Sequence, residues 1–155
     1  RLEAVRTLAR ACGADGMVGG QVLDTVYDVC DAAGLTVLNR LKTGVMISAA
    51  AELGCIASEM PATMRAQALV YADAIGRGFQ IRDDMLDVEG DQAVFGKPIG
   101  SDVQEGKVTF VDVIGMDACR QEVAACTETA KAAVAGWPDH GFLWELADRM
   151  VGRRK

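Results

Sequence analysis

A helical pattern runs from Pro61, which can open a helix from its first turn, to about Val88. It ends in Gly78-Phe-Gln-Ile-Arg-Asp-Asp-Met-Leu-Asp-Val88. Any fold for this chain has to bury one side of that helix and accommodate the other. At about 100° per residue, Gly76, Gln80, Asp83, Asp84 and Asp87 share a polar stripe. Ile75, Phe79, Ile81, Met85, Leu86 and Val88 fill the remaining arc, which is expected to face packed neighbours. The carboxylates then line a cleft or seam rather than open surface. Like charges at i,i+4 cost a few tenths of a kcal/mol each, and the carboxyl end of a helix dipole disfavours anions. A divalent cation reverses both penalties. Mg²⁺ fits best, because it takes oxygen ligands, keeps several waters and bridges one or two carboxylates to a substrate's phosphates. A second reading of the bare DDxxD stands beside it: a solvated acidic helix end paired with lysines.

The remaining elements read as helices too. Leu2, Val5, Leu8 and Ala9 fall on one face of a first helix to Cys12. A glycine-studded stretch follows, and Gln21 to Asp28 resumes the pattern. Asp31 and Gly34 mark a break before a second helix, roughly Leu35 to Ser58. Between Leu41 and Ala51 that helix is apolar nearly all round apart from Lys42 and Thr43, which places it at the centre of a bundle. After Val88, Gly90 to Ser101 reads as a loop. A short helical piece over Phe110 to Ile114, a helix from Met116 to Val134 and a last one from Phe142 to Val151 complete the chain. Gly136-Trp-Pro138 breaks the last two apart. No strand pattern or repeat occurs, and the abundant alanine favours helix. The class is all-α, a helical bundle.

A net charge of −6 over 155 residues makes nucleic acid a poor partner. No run of 18 uncharged apolar residues occurs, so no membrane span is expected. The five cysteines include no CxxC and read as reduced, mostly buried thiols of a cytoplasmic protein. The chain opens at Arg1 inside a helix and reads as part of something longer. Trp137 and Trp144 read as structural, and His140 as a cap or surface residue.

FQIRDDMLD at 79–87, followed by GDQAVFGKPIGSDVQEGKVTF, resembles the trans-isoprenyl diphosphate synthases of the polyprenyl synthetase family. Their second aspartate-rich motif reads FQxxDDxLD and precedes a GK…GxD…GK(x)T segment. GMVGGQVLD at 16–24 and LKTGVMISAAAELG at 41–54 agree in order and spacing, and the bacterial short-chain farnesyl and geranyl type is the nearest likeness.

The resemblance implies the isoprenoid synthase fold, with residues 1–155 forming the carboxyl-terminal part of one domain. It implies Mg²⁺, an allylic diphosphate and isopentenyl diphosphate as partners, and a homodimeric parent. Asp83 would ligate a Mg²⁺ bridging to the allylic diphosphate, with Asp84 and Asp87 assisting directly or through water. Lys42 and Thr43 match a KT pair, the lysine on the diphosphate and the threonine oxygen near the developing carbocation. Gln80 matches a glutamine whose amide oxygen stabilises the same charge. Lys97 and Lys107 match two lysines that grip the leaving diphosphate, Asp102 an acidic residue behind them, and Gln21 and Asp24 a GQxxD pair on an adjacent helix.

Simpler readings remain for single residues. Lys42 in an apolar run can be a buried lysine paired with a core carboxylate, Thr43 can back-bond to the carbonyl at 39, and Lys97 and Lys107 can be ordinary loop lysines. Arg82 stands where the family commonly has Gln; its stem is expected to pack while its head reaches a carboxylate or water. The basic end Arg153-Arg154-Lys155 is similar to a tail that approaches isopentenyl diphosphate in some members, and frayed solvated charge is the simpler state. The family's first aspartate-rich motif and its isopentenyl diphosphate clamp do not occur in these residues, so the chain alone is expected to be inactive. A class I terpene cyclase would need Ser or Thr at 87 and Glu at 91, where this chain has Asp87 and Asp91. A non-catalytic partner subunit of a heterodimeric synthase would typically have lost the aspartates that stand here at 83, 84 and 87.

Overall fold

The computed structural model describes residues 1–89 and 107–152, which are helical with no strand among them. In chain order the helices are α1 (Leu2–Cys12), α2 (Met17–Val26), α3 (Ala32–Asn39), α4 (Val45–Ala57), α5 (Ala62–Glu89), α6 (Phe110–Ile114), α7 (Met116–Val134) and α8 (Gly141–Gly152). A π-helical turn, Arg40–Gly44, joins α3 to α4.

Local chemistry explains the ends. Asp31 caps α3 by accepting from the Gly34 N–H at 2.7 Å. The Pro61 carbonyl takes the Arg65 N–H, so α5 starts immediately after the proline. Thr109 and Asp112 form a reciprocal capping box at the head of α6. Gly115, at φ 81°, makes the corner into α7 that an L side chain would resist.

The centre of the bundle is α5. It packs along α7 and α4 and also meets α3, α6, α8 and the π turn. Around its carboxyl half Ile81, Met85, Leu35, Leu38, Phe110, Cys119 and Val123 form one apolar cluster. Around its middle Tyr71, Ala74, Ile75, Ala130, Val134 and Ala147 form another. The Tyr71 hydroxyl donates to the Leu143 carbonyl at 2.8 Å and ties α8 on. Trp137 Nε1 donates to Gln67 and Trp144 Nε1 to the Lys131 carbonyl, so both tryptophans are structural. His140 sets Nδ1 2.8 Å from the Trp137 carbonyl. At the other end the Arg65 guanidinium holds Glu3 and Glu52 at 2.7 and 2.8 Å, clasping α1 and α4 to α5.

Four expectations need correction. The apolar second helix is not the central one: α4 buries only Ala49 and Cys55, whereas α5 buries ten residues. An all-apolar helix goes wherever apolar neighbours lie, and its neighbours here sit mainly on its α5 side. On α1, Leu2, Val5 and Leu8 are exposed and Ala11 is the one buried residue, because α1 approaches α4 through its small side chains. Val88 is half-exposed, since α5 is already ending there. The helix expected from Gln21 begins at Met17 and ends at Val26, its glycines lying inside it. Cys55, Cys119 and Cys126 are buried, and Cys30 is exposed; all five cysteines are free. No described helix is long and apolar enough to cross a membrane.

Candidate functional site

The π turn lies between two backbones. A Cβ placed on Gly20 of α2 would come 2.3 Å from the Lys42 amide nitrogen, and one on Gly76 of α5 would come 3.3 Å from the Gly44 Cα. Glycine at these positions lets α2 and α5 close on the turn from opposite sides. A π turn widens the helix by one residue and is common where function fixes backbone geometry. The glycine pattern was the available signal for this element, and helical periodicity alone reads through it.

Lys42 projects from this turn to Asp24 on α2, its ammonium donating to Oδ2 at 2.6 Å. Lys107, in the segment leading to α6, reaches the same oxygen at 3.4 Å. Two of the expected site lysines therefore meet, and they meet on a carboxylate of the GQxxD pair. Burial alone would push the Asp24 carboxyl up, but the hydrogen bond and charge of Lys42, with the charge of Lys107, more than offset it and hold it below the usual carboxylate range. The simple reading of Lys42, a lysine paired with a core carboxylate, is what the geometry contains. That pairing does not exclude an anion from approaching the same ammonium.

The three aspartates at 83, 84 and 87 separate in character. Asp84 Oδ2 accepts from the Phe110 N–H at 2.7 Å, which docks the start of α6 onto α5. Its charge meets the positive end of that short helix, which relieves part of the like-charge strain on α5. Burial, and then the nearby Asp84 charge, push the Cys119 thiol up. Asp87 is buried at 8% exposure, and Asp83 is half-buried. No three acidic, His or Cys side chains among the described residues converge as a preformed metal cluster. Arg82 keeps its stem inside and sets its head 3.8 Å from Glu89.

Gln80 lines a cavity of about 170 Å³ between α3 and α5, with Asn39, Gly44, Gly76 and Phe110 around it. Thr43 lies on the π turn and does not line that cavity. No bond from its hydroxyl to the carbonyl at 39 occurs among the described residues. Lys97, Asp102, the loop from Gly90 to Ser101 and the tail Arg153–Lys155 lie outside the described residues.

A family model described as Polyprenyl synthetase matches residues 1–135. The farnesyl diphosphate synthase of Haemophilus influenzae is 32% identical over 158 residues, covering 99% of this chain and 54% of that protein. The Escherichia coli farnesyl diphosphate synthase is 34% identical over 167 residues, covering 100% of this chain and again 54% of the relative. Among solved structures, an FPP/GFPP synthase from Zymomonas mobilis superposes with a TM-score of 0.82 at 32% identity, covering 96% of this chain and 50% of that one. A Caulobacter crescentus polyprenyl synthase complexed with calcium and isoprenyl diphosphate gives 0.89 at 26% identity, covering 100% and 60%. The chain thus spans about half the length of the curated relatives it matches.

Proposed function

Since this chain belongs to the polyprenyl synthetase family, we propose that it carries the second-motif portion of a trans-prenyltransferase joining an allylic diphosphate to isopentenyl diphosphate. The observation that supports this most is the meeting of Lys42 and Lys107, from elements far apart in sequence, on one oxygen of Asp24. Two ammoniums held together are what a diphosphate leaving group needs.

A divalent ion, Mg²⁺ in this proposal, fits the donors at hand. Mg²⁺ takes one or two carboxylates and completes its shell with phosphates and water, so a preformed cluster is not required. Asp83 would hold it, with Asp87 one helical turn further along α5 assisting and Asp84 already engaged by α6. When bound, the ion neutralises charge on the departing diphosphate. Lys42, Lys107 and Lys97 would orient that group, and the side-chain oxygens of Gln80 and Thr43 would face the allylic cation as the bond to diphosphate breaks. The released diphosphate can take the final proton. In the same proposal the parent protein is cytoplasmic and homodimeric; the free thiols and the exposed Leu2, Val5, Val22 and Val26 support those two points.

The test is Mg²⁺-dependent incorporation of labelled isopentenyl diphosphate by this chain, with and without the half of a relative that it does not span. Turnover is expected only with that half present. Asp83→Ala is expected to lower it by several kcal/mol of transition-state stabilisation, a thousandfold or more. Near-wild-type turnover in that variant would overturn the metal assignment, and robust turnover by the chain alone would show that the essential groups lie elsewhere.

A further inference from the structure

We propose that Asp24 is a positioning residue that preassembles Lys42 and Lys107 into one diphosphate grip, an assignment that rests on reading those lysines as diphosphate ligands. Its side chain is 10% exposed, against 34% for Lys42 and 41% for Lys107. The carboxylate is thus less exposed than either lysine side chain it pairs with, and an anion arriving from solvent is expected to meet the cations first. Both ammoniums touch one oxygen, so they lie no more than roughly 6 Å apart, where like charges repel strongly outside bulk water. Asp24 offsets that repulsion before any ligand arrives.

The carboxylate is also fixed in place. Asp24 stands one helical turn after Gly20, whose missing side chain seats α2 directly on the Lys42 backbone. Positional control matters because Asp24 has two opposing effects on an incoming anion. Its charge repels the anion, and its geometry gathers the anion's ligands. Two long, partly exposed lysine stems lose considerable rotamer freedom on converging, so gathering is the larger effect. Neutralising Asp24 would remove the anchor that the two stems share.

Calorimetric titration of inorganic diphosphate into the purified chain without metal separates these effects. Lys107→Ala is expected to weaken binding about tenfold in the wild-type background. In an Asp24→Asn background the same change is expected to cost less than about twofold, because the shared anchor that aims Lys107 at Lys42 is already gone. Asp24→Asn alone is expected to weaken binding about tenfold, and Asp24→Glu to restore part of it. Gly20→Ala, which displaces the carboxylate without removing its charge, is expected to lose the same coupling even if Asp24→Asn folds poorly. The assignment is overturned if Asp24→Asn binds diphosphate as well as or better than wild type, or if Lys107→Ala costs the same factor in both backgrounds. If Lys42→Ala and Lys107→Ala both leave binding unchanged, the diphosphate reading fails and this assignment with it. Loss in the lysine variants but not in Asp24→Asn overturns the assignment alone.

Discussion

The seam between α5 and α7 and the junction of α2, the π turn and α5 hold together by opposite means. Along the seam, Ile81, Cys119, Ala130 and Val134 are at 0% exposure, and stability comes from side-chain volume. At the junction the backbones meet through Gly20, Gly44 and Gly76, and the contacts that follow are Lys42, Lys107 and Asp24 around one oxygen. The seam tolerates little loss of volume but no particular charge. The junction tolerates little gain of volume and depends on charge. Both lysines at the junction are partly open to solvent, whereas those seam residues are closed to it.

The largest stability effect should fall on the seam. Ile81→Ala removes a fully buried side chain and is expected to cost about 2–5 kcal/mol in denaturant unfolding, with diphosphate affinity of the folded protein changed less than about twofold. A large affinity change would mean that the two regions are not separable. Gly20→Ala runs the comparison the other way. Crowding the Lys42 backbone is expected to cost about 1–3 kcal/mol, with a diphosphate loss out of proportion to it.

Smaller effects distinguish the regions by pH. The Asp24 carboxyl is held low, so its contribution is present above the unfolded pKa near 4 and is lost as pH falls through the lower folded value. Wild type is expected to exceed Asp24→Asn by about 1–2 kcal/mol at pH 7, the two curves converging in strong acid. In the seam, burial pushes the Tyr71 phenol up to about 12. Folding then favours its neutral form, so stability is expected to fall as pH rises from about 10 towards that value. Tyr71→Phe should lose about 0.5–1.5 kcal/mol at neutral pH through the missing bond to Leu143, and should lack that alkaline decline.

The same contrast explains what could be read from the sequence. Phe110–Ile114 and Met116–Val134 are bounded as their residues imply, because the Thr109 capping box and the Gly115 corner are local signals. That α5 has an apolar arc to bury follows from spacing, although which helix covers it does not. The π turn does not follow from spacing either, since it depends on two glycines from other helices pressing on Lys42 and Gly44. Nor could spacing reveal that Asp84 would dock α6 through the Phe110 N–H. That contact forms only when two segments 26 residues apart meet. The acidic stripe at 83–87 is readable from spacing, while the partner each carboxylate finds depends on its tertiary neighbours.

In the proposed function Asp83 would hold a Mg²⁺ that helps bring diphosphate to Lys42 and Lys107. Titrating inorganic diphosphate into the chain with and without Mg²⁺, in wild type and in Asp83→Ala, tests it most directly. Mg²⁺ is expected to tighten binding about tenfold or more in wild type. Asp83→Ala should bind as wild type does without metal and gain nothing when metal is added. An equal Mg²⁺ gain in both proteins would contradict the account, because the ion would then be held without the carboxylate assigned to it.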